Sequence, residues 1–258
     1  MKKVKIGPHL LIRGDCLKVM PRFPAKKIDL VLCDLPYGTT ANAWDSILDF
    51  DQLWPEYWRL MRDGAIIQFA AQPFTSLLVC SQLKYFKYDL VWHKNKGSGH
   101  MNAKKMPMRY HESILVFYRK LATYNSQKTQ GHRQAAAAVR RNATGNYGSQ
   151  AAKNVYKGGN TDRHPQSVLQ FNVVNNSSAE RVHPTQKPVD LCAWLIRSYT
   201  KESARVLDNC MGSGTTGVAC VRTGRKFVGI EKDKAIFETA CDRINDAYKE
   251  SRRSLFKK

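Results

Sequence analysis

Five consecutive residues, Asp34-Leu35-Pro36-Tyr37-Gly38, combine a carboxylate, a rigid proline and an aromatic ring. They follow directly on Ile28-Asp29-Leu30-Val31-Leu32-Cys33, an apolar run that reads as a short buried strand. In an open α/β sheet, ligands bind at the carboxyl ends of strands. The chemistry that suits this combination is transfer to an exocyclic amine. Such an amine needs two acceptors for its hydrogens and a ring to stack on, and it needs no covalent nucleophile. In this reading Asp34 and the backbone carbonyl near Leu35-Pro36 are the acceptors, and Tyr37 is the ring. A strand followed by a proline turn, with Tyr37 as ordinary packing, explains the pentapeptide equally well on its own.

A second constellation lies far along the chain. Arg205-Val206-Leu207-Asp208 reads as a strand, and Asn209 to Gly217 as a glycine-rich turn. A helix follows from Val218 to a stop at Gly224, then a strand from Lys226 that ends in Glu231. Gly212-x-Gly214-x-x-Gly217 matches the dinucleotide fingerprint, so spacing alone leaves a nicotinamide or flavin cofactor open. Two features favour S-adenosylmethionine. Asp208 would repel a pyrophosphate but suits an ammonium group, and the Asp34 half offers a site for a base rather than for a hydride acceptor. Glu231 is placed to accept from ribose hydroxyls, which either kind of cofactor carries.

The elements that must position these groups follow from periodicity. Strands are predicted at 10–13, 28–33, 65–69, 88–92 and 114–118. Helices are predicted near 17–20, cut short by Pro21 and Pro24, and over 53–61, 74–83, 189–199 and 234–248. Between 94 and 109 the chain reads as a basic loop carrying Lys94, Lys96, Lys104, Lys105 and Arg109 without an acid. From Ala122 to Arg181 long aliphatics nearly vanish, while Asn, Gln, Gly, Ser and Ala dominate. That segment builds little core, and its side chains, Arg133, Arg140 and Arg141 among them, suit contacts to nucleic acid.

Composition narrows the partner. A formal charge of +21 over 258 residues exceeds what solubility requires and points to a polyanion. The chain lacks the run of about 18 apolar residues that a membrane span needs, which leaves nucleic acid as the expected partner and a membrane as an unexpected one. Seven scattered cysteines without a Cys-x-x-Cys pair fit free thiols in a reducing cytoplasm, and neither they nor the histidines suggest a metal.

Taken together, these motifs resemble the DNA amino-methyltransferases whose catalytic motif is Asp-Pro-Pro-Tyr, written here Asp34-Leu35-Pro36-Tyr37. Leu35 stands for the first proline, and the acceptor at that position is a main-chain carbonyl that leucine also supplies. A catalytic motif that precedes the cofactor motif, with an insert between them, is similar to the β class. His183-Pro184-Thr185-Gln186-Lys187-Pro188, Gly14-Asp15-Cys16, Trp92-x-Lys94 and His111-Glu112-x-Ile114-Leu115 match further patterns of that class. The resemblance implies a Rossmann-like α/β fold, circularly permuted, with a mostly parallel sheet and helices on both faces. It implies a catalytic half at 1–121, a target-recognition insert at 122–181 and a cofactor half at 182–258. The cofactor residues it implies are Asp15, Cys16, Asp34, Thr185, Lys187, Asp208, Met211, Gly212, Ser213, Gly214, Thr215, Glu231 and Lys232. The implied reaction methylates an exocyclic amine in double-stranded DNA after base flipping. Adenine N6 is favoured, because N4-cytosine enzymes more often carry Ser where Asp34 stands. A C5-cytosine enzyme would need a Pro-Cys nucleophile, and the chain has no such dipeptide. RNA and protein methyltransferases tend to carry Asn in place of Asp34. A non-catalytic nucleic-acid-binding protein accounts for the charge but not for three carboxylates at strand ends. The class also admits a homodimer, a cognate restriction nuclease and a cytoplasmic place in a prokaryote or phage-infected cell.

Overall fold

The strand Ile28–Asp34 sends Leu30 and Leu32 to one side of a sheet, and Val31 and Cys33 to the other, all fully buried. Burial on both faces is what a continuous apolar run dictates, and it requires a covering layer on each side. The computed structural model describes residues 1–39, 45–139, 155–174 and 186–255, and supplies both layers.

In chain order, β1 (Lys2–Ile6) and β2 (His9–Arg13) form an antiparallel hairpin. A short α1 (Cys16–Val19) tightens into a 3-10 turn at Met20–Arg22, where Pro21 sits. There follow β3 (Ile28–Asp34), α2 (Phe50–Leu60), β4 (Met61–Ala70), α3 (Phe74–Ser81), β5 (Phe86–Ser98) and β6 (Arg109–Phe117). After the two-residue strands β7 (Ala138–Val139) and β8 (Val155–Tyr156) come β9 (Val168–Gln170), α4 (Val189–Tyr199), β10 (Arg205–Asp208), α5 (Thr215–Arg222), β11 (Lys226–Glu231) and α6 (Lys234–Leu255). No helix among the described residues is long and apolar enough to cross a membrane.

The main sheet runs β1-β2-β11-β10-β3-β4-β6-β5-β9. Its centre, from β2 through β4, is parallel, while β6 is antiparallel to both β4 and β5. Leu191, Leu195 and Ile196 of α4, Val218 and Ala219 of α5 and Phe237 and Ala240 of α6 cover the face that bears Leu30 and Leu32. Val19 of α1, Leu53, Trp54 and Tyr57 of α2 and Phe74 and Leu78 of α3 cover the face that bears Val31 and Cys33. Each half of the chain therefore contributes one helical layer.

Three expectations change. The segment 94–98 is strand, because β5 continues past Trp92 and, after a shift in register, pairs Ser98 with Arg109. The hairpin strand β1 was not anticipated in a basic amino terminus. The inserted unit is also narrower than 122–181: Ser126–Gln166 forms a compact unit, and the rest of the described chain forms the other. Ala122 is buried in the main core, and Asn125 Nδ2 donates to the carbonyls of Arg197 and Thr200, each at 2.9 Å. On the far side of the insert, β9 pairs with β5 and buries Leu169.

Between β3 and β4 the register jumps: Ile28 faces Met61 and Leu30 faces Ala65, so Arg62, Asp63 and Gly64 oppose Asp29 alone. A Cβ on Gly64 would lie 1.8 Å from the Asp29 carbonyl oxygen, which is backbone and has no rotamer to escape into. Gly64→Ala is therefore expected to lower stability by about 3 kcal/mol, as overpacking does. Urea unfolding of the two proteins checks this.

Candidate active site

The chain leaves β3 through α2 toward β4 on one side, and leaves β10 through α5 toward β11 on the other. The two connections depart over opposite faces, so β3 and β10 flank a topological switch point. A crevice opens there at the carboxyl ends of the strands. Asp34, Asp208 and Glu231 are the last residues of β3, β10 and β11 and stand along this edge.

Around Asp34 the charged groups are tightly knit. Tyr37 donates its hydroxyl to Asp34 Oδ1 at 2.7 Å, and Lys187 Nζ lies 2.7 Å from Oδ2. Lys187 Nζ is also 3.1 Å from Glu112 Oε2, and Lys94 donates to Glu112 Oε1 at 3.1 Å. Two cations and two anions thus alternate in a row. The Lys187 side chain is only 10% exposed and that of Lys94 6%. Burial pushes the Lys187 ammonium toward neutrality, but Asp34 and Glu112 outweigh it and raise its pKa. Burial likewise favours a proton on Glu112, and Lys187 and Lys94 overcome it, so its pKa falls. Burial, then the charges of Asp34 and Glu112, raise the Tyr37 phenol well above its ordinary value. The shifts hold Lys187 as an ammonium and Glu112 as a carboxylate at neutral pH, and Tyr37 as a neutral donor.

The loop that carries this motif is held from outside. Asp45 accepts from the amides of Tyr37 (2.7 Å), Gly38 (2.9 Å) and Thr39 (2.9 Å). Gly38, at φ 67°, bends the chain so that these successive amides converge on one carboxylate, an anion nest. The Tyr37 ring stacks on Phe74 of α3 with centroids 5.1 Å apart and planes 20° apart. Leu35 is buried and Pro36 half-buried beneath it.

On the neighbouring strands, Glu231 organises the glycine turn. Its Oε2 accepts from Gly212 N at 3.0 Å and its Oε1 from Asp233 N at 2.8 Å, and burial raises its pKa. Gly212 and Gly214 adopt φ of 50° and 83°, which only glycine takes without strain, and Gly214 starts α5. Met211, Ser213 and Thr215 are buried in the turn, and Ser213 receives Arg243 Nη1 on its hydroxyl at 3.0 Å. The turn amide that a pyrophosphate would use is already donated to a carboxylate. That donor set suits a ligand with hydroxyls and a cationic group, and it disfavours a dinucleotide. Asp15 caps α1 through Leu17 N at 3.0 Å, next to the buried Cys16. A shallow cleft of about 260 Å³ lined by Gly14, Asp15 and the exposed Lys232 opens along this edge.

Some expected site residues sit differently. Asp208 is only 4% exposed and accepts from Cys210 N at 3.2 Å, so it props the turn from beneath rather than standing open to an ammonium group. Lys94, expected to meet DNA, is buried against Glu112. Lys187, expected on the cofactor side, rests on Asp34. Lys96, Lys104, Lys105 and Arg109 are exposed, and so is Arg133 within the unit Ser126–Gln166. Thr185, Arg140 and Arg141 lie outside the described residues. Asp45 and the charge of Glu112 escaped sequence reasoning: Glu112 was visible only as part of a pattern, and its proximity to Lys94 depends on the β5–β6 pairing.

Comparison with known proteins agrees with this architecture. Residues 28–242 match the family model of the N6/N4 DNA methylases. The chain is 28% identical to the DNA adenine methyltransferase YhdJ of Escherichia coli, over 96% of this chain and 86% of that protein. Its fold is similar to that of the M1.HpyAVI complex with S-adenosylmethionine, with TM-score 0.62 and 24% identity over 91% of this chain and 98% of the other. It is also similar to PvuII DNA methyltransferase, described as cytosine-N4-specific, with TM-score 0.63 and 16% identity over 93% and 91% of the two chains.

Burial pushes the Asp208 carboxyl up to about 7. Between its unfolded pKa near 4 and that value, the folded protein keeps a proton that the unfolded chain has released. Stability from this group is therefore present below about pH 4 and is lost as pH rises toward 7. Asp208→Asn removes that slope. Relative to wild type, the variant should gain on the order of 2 kcal/mol between roughly pH 5 and pH 7. Urea unfolding at the two pH values reads it.

Proposed function

The chain belongs to the N6/N4 DNA methylase family, S-adenosylmethionine-dependent enzymes that methylate exocyclic amines of DNA bases, and from this we propose that its target is adenine N6. The observation that carries the proposal is Asp34 at the end of β3, with Tyr37 folded onto it. A carboxylate at this position accepts both from an amine and, eventually, its proton, where a serine could offer only a weak acceptor. The adenine specificity in the name of YhdJ supports the same base.

When bound, S-adenosylmethionine supplies an electrophilic methyl group on a sulfonium. Glu231 would hold its ribose hydroxyls, since each carboxylate oxygen keeps a lone pair beyond the one given to a backbone amide. Gly212 and Gly214 would let the backbone approach closely, with Met211, Ser213 and Thr215 shaping the turn and Asp208 fixing it. Asp15, Cys16 and Lys232 would border the adenine side.

On the substrate side, Asp34 and the main-chain carbonyl near Leu35 would take the two amine hydrogens of the flipped base and aim the nitrogen lone pair at the methyl. As the nitrogen gains the methyl it becomes cationic, and Asp34 stabilises that charge and accepts the departing proton. With Phe74 behind it, Tyr37 would present its other face to the base. Lys96, Lys104, Lys105 and Arg109 would neutralise phosphates, and the unit Ser126–Gln166, with Arg133, would read the target sequence.

Incubation of unmodified genomic DNA with labelled S-adenosylmethionine, followed by nucleoside analysis, is expected to place label in N6-methyladenine. Label in N4-methylcytosine instead would keep the mechanism and overturn the base. Asp34→Ala should reduce transfer by about a thousandfold while leaving the circular dichroism spectrum intact, and full activity would refute the role of Asp34. Duplex affinity should fall by about 10³-fold between roughly 50 and 200 mM salt, as counterion release requires. A flat response would mean that the +21 charge serves another end.

A further inference from the structure

We propose that Lys187 occupies the seat of the substrate amine at rest and that Glu112, held by Lys94, is the acceptor that draws it aside when a base enters. The proposal rests on the reading of Asp34 as the amine acceptor.

Three observations carry it. First, the Lys187 ammonium does what an incoming amine must do. It lies 2.7 Å from Asp34 Oδ2, and it sits 5.8 Å from the centroid of the Tyr37 ring. With Tyr37 taking Asp34 Oδ1, both carboxylate oxygens are engaged, and one face of the ring is stacked on Phe74. A base cannot reach Asp34 and Tyr37 while the ammonium remains. Second, a vacated ammonium in a buried site needs another anion, because leaving it there alone is strongly unfavourable. Glu112 is that anion. Its Oε2 is buried, accepts no aligned hydrogen bond, and lies 3.1 Å from Lys187 Nζ. A small rotation of the lysine terminus therefore exchanges one carboxylate for another without crossing water. Third, Lys94 holds the opposite oxygen of Glu112 at 3.1 Å, which aims the unsatisfied one at Lys187.

Lys94 and Glu112 lie on adjacent strands, and Trp92 pairs with Glu112 in the register, so Lys94 reaches it along the same face of β5. Glu112 is thus a positioning residue that acts through Lys187. The arrangement keeps Asp34 charge-balanced until a substrate replaces the lysine, and it makes the nucleophile's site available only when the lysine has somewhere to go.

The test is a suppression experiment in the full-length protein. With Glu112→Gln the second seat loses its charge, so Lys187 stays on Asp34. Single-turnover methyl transfer at saturating S-adenosylmethionine should slow on the order of 10- to 100-fold, as misplacement at a reacting centre does. Cofactor affinity, measured by calorimetry, should stay within about twofold, since Glu112 does not face the Glu231 turn in this reading. Adding Lys187→Gln to Glu112→Gln should restore much of the rate, because it removes the occupant. A merely structural role for Glu112 predicts the reverse, with the double variant as slow as the single one or slower. Either that result or a wild-type rate in Glu112→Gln overturns the proposal. If Glu112→Gln does not fold, Glu112→Asp carries the same comparison: slowing that Lys187→Gln relieves supports the hand-off, and no slowing refutes it. A wild-type protein that binds cofactor but methylates no DNA base removes the reading of Asp34 and the hand-off with it. An active wild type with unimpaired Glu112 variants removes the hand-off alone.

Discussion

The parallel pairing of β3 with β10, Val206 beside Leu30 and Leu207 beside Val31, is the contact on which the site depends. These strands lie far apart in the chain, and no local interaction brings them together. Around this short ladder the two halves are tied by polar contacts that would be costly to break inside a core. Asp29 accepts Arg205 N at 2.8 Å at one end of the strands. At the other, Tyr57 of α2 donates to Asn209 Oδ1 at 2.5 Å and receives Gln68 Nε2 at 3.1 Å. The switch point, the placement of Asp34 next to Asp208, and the separation of the base site from the glycine turn all follow from this pairing.

Bringing carboxylates to neighbouring strand ends also has an electrostatic consequence. Asp34 contributes to the raised pKa of Asp208, although burial is the larger cause. One carboxyl responds by favouring its proton, while the other sits beside a lysine. The fold thus resolves like-charge crowding in two ways within one crevice, and only the ion-paired carboxylate faces the place where chemistry on an amine would occur.

Much of this was legible in the chain, and what was not has physical reasons. β10, β11 and α4 fall where the apolar runs and their polar boundaries put them, because each buries most of its residues. Past Trp92, β5 loses that signal: its outer residues are polar or glycine and, apart from the buried Lys94, largely open to solvent, so pairing with β6 rather than an apolar run marks the strand. The compact unit Ser126–Gln166 is narrower than the segment of biased composition for a related reason, since a single buried Ala122 or Leu169 anchors its surroundings to the core without changing the local composition. Asp34, Asp208 and Glu231 stood out because each terminates an apolar run. Glu112 and Asp45 did not, because the partners that define them come from sheet register and from a loop folding back.

Buried ion pairs seldom stabilise a protein as well as apolar packing of the same volume would. A row of two lysines and two carboxylates against a hydrophobic sheet is therefore hard to explain by stability alone. Asp34 can be accounted for by its proposed substrate, but Glu112 and Lys94 cannot, since in the proposed reaction the amine is held by Asp34 and a main-chain carbonyl and by neither of them. Their presence becomes reasonable if the anion at Asp34 must be preserved through a change of partner. A lone ammonium left in this surrounding without an anion would be strongly unfavourable. With Glu112 close enough to share the same ammonium, charge balance survives the exchange, and Asp34 is left open to its substrate.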